Sequence, residues 1–222
     1  EWDCHVHAQD GDDVVDEIVA HEDELRPDLL VMCTHGPGNL ERLLRGSLAQ
    51  QVVALGRTPL LLVRPKSRLT GDFSLTRLLV PLDGTARHEG GLPPALALAA
   101  ASNSRLQLLA VIPSPAKLAG PDATLARFLP GTTRTMQELS GTNLRNYLEG
   151  VRERAKGDGI EADIELRHGD VPDNIVDAAA KSGTELIVMG THGKAGTKAF
   201  WANSIAARVQ AKTDRLLLLV PA

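Results

Sequence analysis

The chemistry this sequence offers is concentrated in two turns, Cys33-Thr-His-Gly36 and Gly190-Thr-His-Gly193. Each follows a short apolar run. Nine residues then separate Gly36 from Gly46-Ser47, and nine separate Gly193 from Asn203-Ser204. Strand, glycine turn and helix in that order present backbone N–H groups to a phosphate. Glycine lets the backbone approach closely, and the helix N-terminus adds partial positive charge. Lys194 would contribute a point charge and Ser204 a hydroxyl. A tight strand-to-helix turn needs glycine for its own geometry too, so a purely structural role stands beside the binding role for Gly190 and Gly193. Asp83, at the end of the run Val80-Pro-Leu-Asp-Gly-Thr85, reads on its own as a cap for the helix that follows.

Other candidates are weaker. His35 and His192 occupy equivalent places in the two turns. Orienting the turn is favoured there over acting as a general base. His5 and His7 lie two apart, on one face of a strand, but no third metal ligand of suitable spacing accompanies them. Cys33 reads as a small turn residue rather than a nucleophile. Thr191-His-Gly-Lys194 lacks the Gly-x-x-x-x-Gly-Lys frame of a P-loop. No Ser-His-Asp order and no zinc spacing stands out.

The two turns belong to a long internal repeat. Asp28–Gly36 matches Glu185–Gly193 at an offset of 157 residues, and the same offset superposes Ile18 on Ile175, Ser47 on Ser204, Val52 on Val209, and Leu60–Val63 on Leu217–Val220. That period is a duplicated domain, not a solenoid. The second copy begins near Thr76. The division expected is therefore the C-terminal half of one domain over 1–65, a linker over 66–76 with Pro, Gly and Ser punctuation, and a complete domain over 77–222. The first copy would lack its N-terminal half. Its sheet should then expose an edge, met by self-association or by the half that is absent.

Within the complete copy the elements alternate. Strands are expected at Arg77–Leu82, Arg105–Ile112, Ala162–Leu166, Glu185–Met189 and Leu216–Val220. Helices are expected at Glu89–Ala101, Met136–Lys156, Val171–Ser182 and Thr197–Ala211. Pro93 and Pro94 fit only a first turn, and Asp170 is the expected N-cap of its helix. Pro113–Thr135 reads as a long loop, a lid or simple disorder. Asp10–Glu24 reads as a helix with a solvated acidic face and a buried side of Val14, Val15, Ile18 and Val19. Near-continuous apolar strands alternating with helices define an α/β fold with an open parallel five-stranded sheet flanked by helices. Such sheets bind ligands at the carboxyl ends of their strands, at the switch point.

Composition narrows the classes. The 222 residues are 43% hydrophobic and 23% charged, which is globular. Apolar runs such as Leu216–Val220 are far shorter than the roughly 20 residues of a membrane helix. The net charge of −4 and 3% aromatic content give neither a basic stripe nor a stacking platform for nucleic acid. Two cysteines and no signal-peptide pattern fit a reducing, cytoplasmic setting.

The spacing Gly-x-x-Gly, nine residues, Gly-Ser/Thr resembles the ATP-binding signature of the universal stress protein family. Val80–Thr85 resembles that family's opening strand and acidic turn, Leu108–Ile112 its second strand, and Leu216–Pro221 its last. The resemblance spans essentially the whole chain and implies a tandem member with a Rossmann-like fold, similar to the adenine nucleotide alpha hydrolases. It implies that Asp83 lies by the ribose or adenine, that Val111 lines the adenine with its backbone, and that Gly190, Gly193 and Ser204 hold phosphates and ribose, with Lys194 alongside. Asn203 stands where the family has glycine, and Asn is a non-glycine residue that tolerates positive φ. In the first copy Gly36, Gly46 and Ser47 fit, while Cys33 replaces the first glycine. The implied ligand is ATP or another adenine nucleotide with Mg²⁺. The implied role is cytoplasmic stress response or regulation with at most slow hydrolysis, and domains pair through their last strands. The alternatives are a dimeric interaction scaffold that binds no nucleotide, and a nucleotide hydrolase relying on His192 or Asp83.

Overall fold

A computed structural model describes residues 14–33, 47–64, 74–114, 130–191 and 204–221. The elements are α1 (Val14–Leu25), β1 (Leu30–Cys33), α2 (Ser47–Leu55), β2 (Leu60–Val63), β3 (Arg77–Pro81), a 3-10 helix η1 (Ala86–Gly91), α3 (Leu92–Ser102), β4 (Arg105–Pro113), α4 (Pro130–Gly157), β5 (Ala162–Gly169), α5 (Val171–Ser182), β6 (Leu186–Thr191), α6 (Ile205–Lys212) and β7 (Leu216–Pro221).

The described strands form one seven-stranded sheet in the order β1-β2-β7-β6-β3-β4-β5. Strands β3 to β7 are mutually parallel, in the arrangement expected of the complete copy. The sheet is wider than five strands because β2 joins it antiparallel to β7, with Leu60 opposite Leu219 and Leu62 opposite Leu217. The closing strands of the two repeats thus pair within one chain. β1 adds parallel to β2 and forms an edge of the sheet, where Val31 is 59% exposed.

Both faces of the central strands are covered, which explains runs such as Leu216-Leu-Leu-Leu-Val220. Leu217 and Leu219 enter one core with Val52, Leu60, Leu109, Ile175 and Val209, beneath α1, α2, α5 and α6. Leu216, Leu218 and Val220 enter the other with Leu78, Leu106, Ala95 and Leu148, beneath α3 and α4. The first core draws on both repeats.

Local signals set the helix ends. Pro93 lies in the first turn of α3, where its missing N–H costs no helical bond. Asp170 caps α5 by accepting from the Asp173 amide at 3.3 Å, and it also holds Arg208 of α6 at 2.9 Å.

Three expectations change. The segment read as a loop to Thr135 is helical from Pro130, because proline is compatible with a first turn; residues 115–129 lie outside the described part. Val14 is 53% exposed, and the buried side of α1 is Val15 with Ile18 and Val19 packed against the core. Glu22, assigned to the solvated acidic face, is only 6% exposed. Its Oε1 accepts from the backbone amides of Arg57 and, at 2.5 Å, Thr58, tying α1 to the lead-in of β2. Glu22→Ala should lower stability by about 1–3 kcal/mol by leaving two amides without their acceptor. Glu22→Gln, which keeps a carbonyl oxygen, should recover most of that loss. Urea denaturation of the two variants checks it, and equal losses would contradict the clamp.

Candidate functional site

The chain leaves β3 outward to β4 and β5 on one side, then crosses to β6 and β7 on the other. The switch point therefore lies between β3 and β6, where open α/β sheets receive ligands. The Leu82 amide donates to the Leu109 carbonyl at 2.8 Å, carrying the β3–β4 pairing to the residue before Asp83. Asp83 is thus held at the carboxyl end of β3.

Asp83 organises its own turn. Its Oδ1 accepts from the Thr85 amide at 2.9 Å and from the Thr85 hydroxyl at 2.8 Å. Its Oδ2 is bonded by Nδ1 of His88. This is the local side-chain-to-backbone bonding that favours Asp in turns, and the φ of +79° at Gly84 between them suits glycine. Partial burial acts to raise the Asp83 carboxyl. The Thr85 hydroxyl and amide and then His88 outweigh it, and hold the group below the ordinary carboxylate value. A depressed carboxylate contributes stability that is present above its unfolded pKa, about 3.9, and is lost as pH falls through the lower folded value. With the side chain 48% exposed, solvent screening keeps that contribution small.

The 3-10 helix η1 then crosses onto the end of β6. A Cβ on Gly190 would sit 2.9 Å from the His88 carbonyl oxygen and 3.1 Å from the Gly91 amide nitrogen, and one on Gly91 would sit 2.8 Å from the Gly190 nitrogen. Backbone meets backbone here, so Gly190 has a packing cause in the fold whatever else it does. The Tyr147 hydroxyl of α4 also reaches η1, donating to Oε1 of Glu89 at 2.7 Å. Burial, then Glu89, pushes that phenol above its ordinary value. η1 is therefore fastened at two points.

The structure brings Asp83 and Gly190 together through η1. Val111, half-buried on β4, and Ser204, immediately before α6, are at the same end of the sheet by topology, and neither is hydrogen-bonded to the Asp83 side chain. The Ser204 oxygen caps α6 by accepting from the Ala207 amide at 3.1 Å, and a capping hydroxyl still has its own proton to donate. Ser204→Ala should cost about 1 kcal/mol through the lost cap, measurable by denaturant titration. No change in the midpoint would contradict the capping role. Ser47 begins α2. Gly36, Gly46, Gly193, Lys194 and Asn203 lie outside the described residues, as do His5, His7, His35 and His192. Cys33 ends β1 and is exposed. Among the described residues no group of three His, Cys, Asp or Glu is placed to hold a metal ion, and no helix is long and apolar enough to cross a membrane.

Sequence reasoning missed His88 and the Glu89–Tyr147 tie. The available signal was a strand-end Asp-Gly-Thr turn with a histidine three residues beyond the threonine. That spacing brings an imidazole back to the carboxylate only if the intervening chain coils as a 3-10 helix.

A parallel sheet wound in both directions from β3, with a carboxylate and a glycine strand end at its switch point, defines a doubly wound α/β protein. The universal stress protein family profile matches residues 3–64 and 75–221, and the chain belongs to that family. No curated protein matches it. The fold is similar to a universal stress protein from Archaeoglobus fulgidus DSM 4304 (18% identity, TM-score 0.61, covering 93% of this chain and 64% of that one). It is also similar to a putative universal stress protein from Pseudomonas aeruginosa UCBPP-PA14 (14% identity, TM-score 0.67, covering 95% and 69%). A third likeness is UspA from Lactobacillus plantarum (16% identity, TM-score 0.55, covering 67% and 99%). The chain thus spans a little under two thirds of the Archaeoglobus protein's length.

Proposed function

We propose that this protein binds an adenine nucleotide at the carboxyl ends of β3 and β6, as a regulatory stress-response protein of the cytoplasm. The observation that carries the reading is Asp83. Its carboxylate is half-exposed and held ionised at the switch point, beside the strand end that opens the Gly190–Gly193 turn. In this reading Asp83 accepts from the ribose, Val111 borders the adenine, and Gly193, Lys194, Asn203 and Ser204 receive the phosphates. ATP is the favoured ligand. Mg²⁺ would accompany its triphosphate as a counter-ion, with no hydrolytic role assigned. Gly36, Gly46 and Ser47 would form the corresponding turn of a first domain over 1–65, joined by 66–76 to the second over 77–222.

A scaffold that binds no nucleotide is the second reading. Asn203 and Cys33, which replace the family's glycines, favour it, as does the packing cause found for Gly190. Native mass spectrometry of the purified protein separates the two. ATP or ADP co-purifying near one per chain supports the nucleotide reading. Absence of nucleotide, with no thermal shift on adding ATP and Mg²⁺, overturns it.

A further inference from the structure

Asp83 already spends most of its accepting capacity on its own turn. A carboxylate offers about four lone-pair sites. Oδ1 receives two donors from Thr85, and Oδ2 receives His88. A ligand hydroxyl arriving at Asp83 must therefore share Oδ2 with the imidazole or displace it. We infer that His88 is a positioning residue that latches Asp83 and makes ligand capture at the switch point depend on pH. The inference rests on the reading of Asp83 as a ribose contact.

The geometry favours a latch over a loose neighbour. His88 lies on a segment pinned by the Tyr147–Glu89 bond and by the Gly91–Gly190 contact, so the backbone beneath the imidazole is fixed. Among the described residues the ionisable neighbours of His88 are these, with Arg87 preceding it on η1. Asp83 faces the imidazole from the end of β3. Glu89 follows it on η1 and is engaged by Tyr147 of α4, which also senses Arg154. The elements packed beneath η1, namely α3, β6 and β7, carry no ionisable side chain. Asp83 is thus the acidic partner that answers to the charge on His88.

When the imidazole is neutral, its Nδ1–H is an ordinary donor to Oδ2. When it is protonated, the same contact becomes an ion pair between opposite charges, and the carboxylate's charge is compensated. Protonation of His88 and capture of a hydroxyl by Oδ2 then oppose one another, and by linkage each weakens the other.

The test is calorimetric titration with adenosine, which has the ribose hydroxyls and no phosphate to titrate, at steps from about pH 5 to about pH 8, the span in which a histidine changes charge. The wild type should bind about fivefold more weakly at the acid end, near the low limit of site–site coupling because both side chains are partly exposed. His88→Gln, an uncharged amide in place of the imidazole, should give a flat profile. Circular dichroism confirms that the variant is folded, and the wild-type profile needs no variant. A flat wild-type profile, or the same slope in His88→Gln, overturns the latch. Failure of adenosine to bind either protein at any pH also overturns it. Whether the nucleotide reading falls with it is read separately, from ATP binding to the wild type.

Discussion

Gly190→Ala should destabilise the protein by about 1–3 kcal/mol, the cost of forcing an extra methyl into a filled space, and the upper end is expected. The new Cβ would sit 2.9 Å from the His88 carbonyl oxygen, 3.1 Å from the Gly91 nitrogen and 3.3 Å from the Gly90 nitrogen. All three are backbone atoms, so no rotamer change relieves them. η1 must lift from β6, and it is held down by Glu89 and Tyr147. Gly91→Ala attacks the same contact from the other side, at 2.8 Å from the Gly190 nitrogen. Once either methyl has pushed the segments apart, the second has less left to disturb. The double variant should therefore lose less than the sum of the singles. Gly150→Ala is the control: it is an exposed position in α4 where a Cβ meets nothing within 4 Å, and it should gain about 0.5–1 kcal/mol from helix propensity. Urea unfolding of the four variants checks the set. A Gly190→Ala protein as stable as the wild type would show that η1 does not rest on β6.

Leu219→Ala should cost about 2–5 kcal/mol. At this chain length each kcal/mol lowers Tm by about 2–4 °C. Leu219 is 1% exposed and sits where the two repeats meet. It lies opposite Leu60 across the antiparallel β2–β7 seam and beside Met189 on β6. Its side chain belongs to the core that Val52, Leu62 and Val209 share. The cavity would open between residues that come from both repeats, with neighbours fixed in a sheet and little able to collapse. A single cooperative transition shifted downward is expected in thermal unfolding followed by circular dichroism. Two separated transitions in the wild type would contradict a shared core.

The strands were legible in the sequence because this sheet is covered on both faces. Arg77–Leu82, Arg105–Ile112 and Leu216–Val220 read as near-continuous apolar runs, with Gln107 the polar residue inside the second, and each is an interior strand of the sheet. That the two closing strands pair followed from the family resemblance alone, since nothing in two similar Leu-rich runs specifies that they pair; the antiparallel direction came only from the structure. Glu22 was misread because an acidic residue on an amphipathic helix is ordinarily solvated. Its burial depends on two amides, at Arg57 and Thr58, that reach it only once α1 packs beside α2. The start of α4 was misplaced because Pro130-Gly131-Thr132-Thr133 looks like a loop one residue at a time, while proline in a first turn is compatible with a helix. At the candidate site, Asp83 was singled out because Val80–Thr85 resembles the family's opening strand and acidic turn. His88 was not, because its partnership depends on a 3-10 coil that no periodicity announces.

Asp83 is the proposed ligand carboxylate, and calorimetric titration of the wild type and Asp83→Ala with ATP in the presence of Mg²⁺ tests that role most directly. Saturable binding near one nucleotide per chain, lost or weakened at least tenfold in a folded Asp83→Ala protein, is the result expected; tenfold corresponds to about 1.4 kcal/mol. Equal affinity in the two proteins would remove Asp83 from the site, and no binding by the wild type would contradict the nucleotide reading itself.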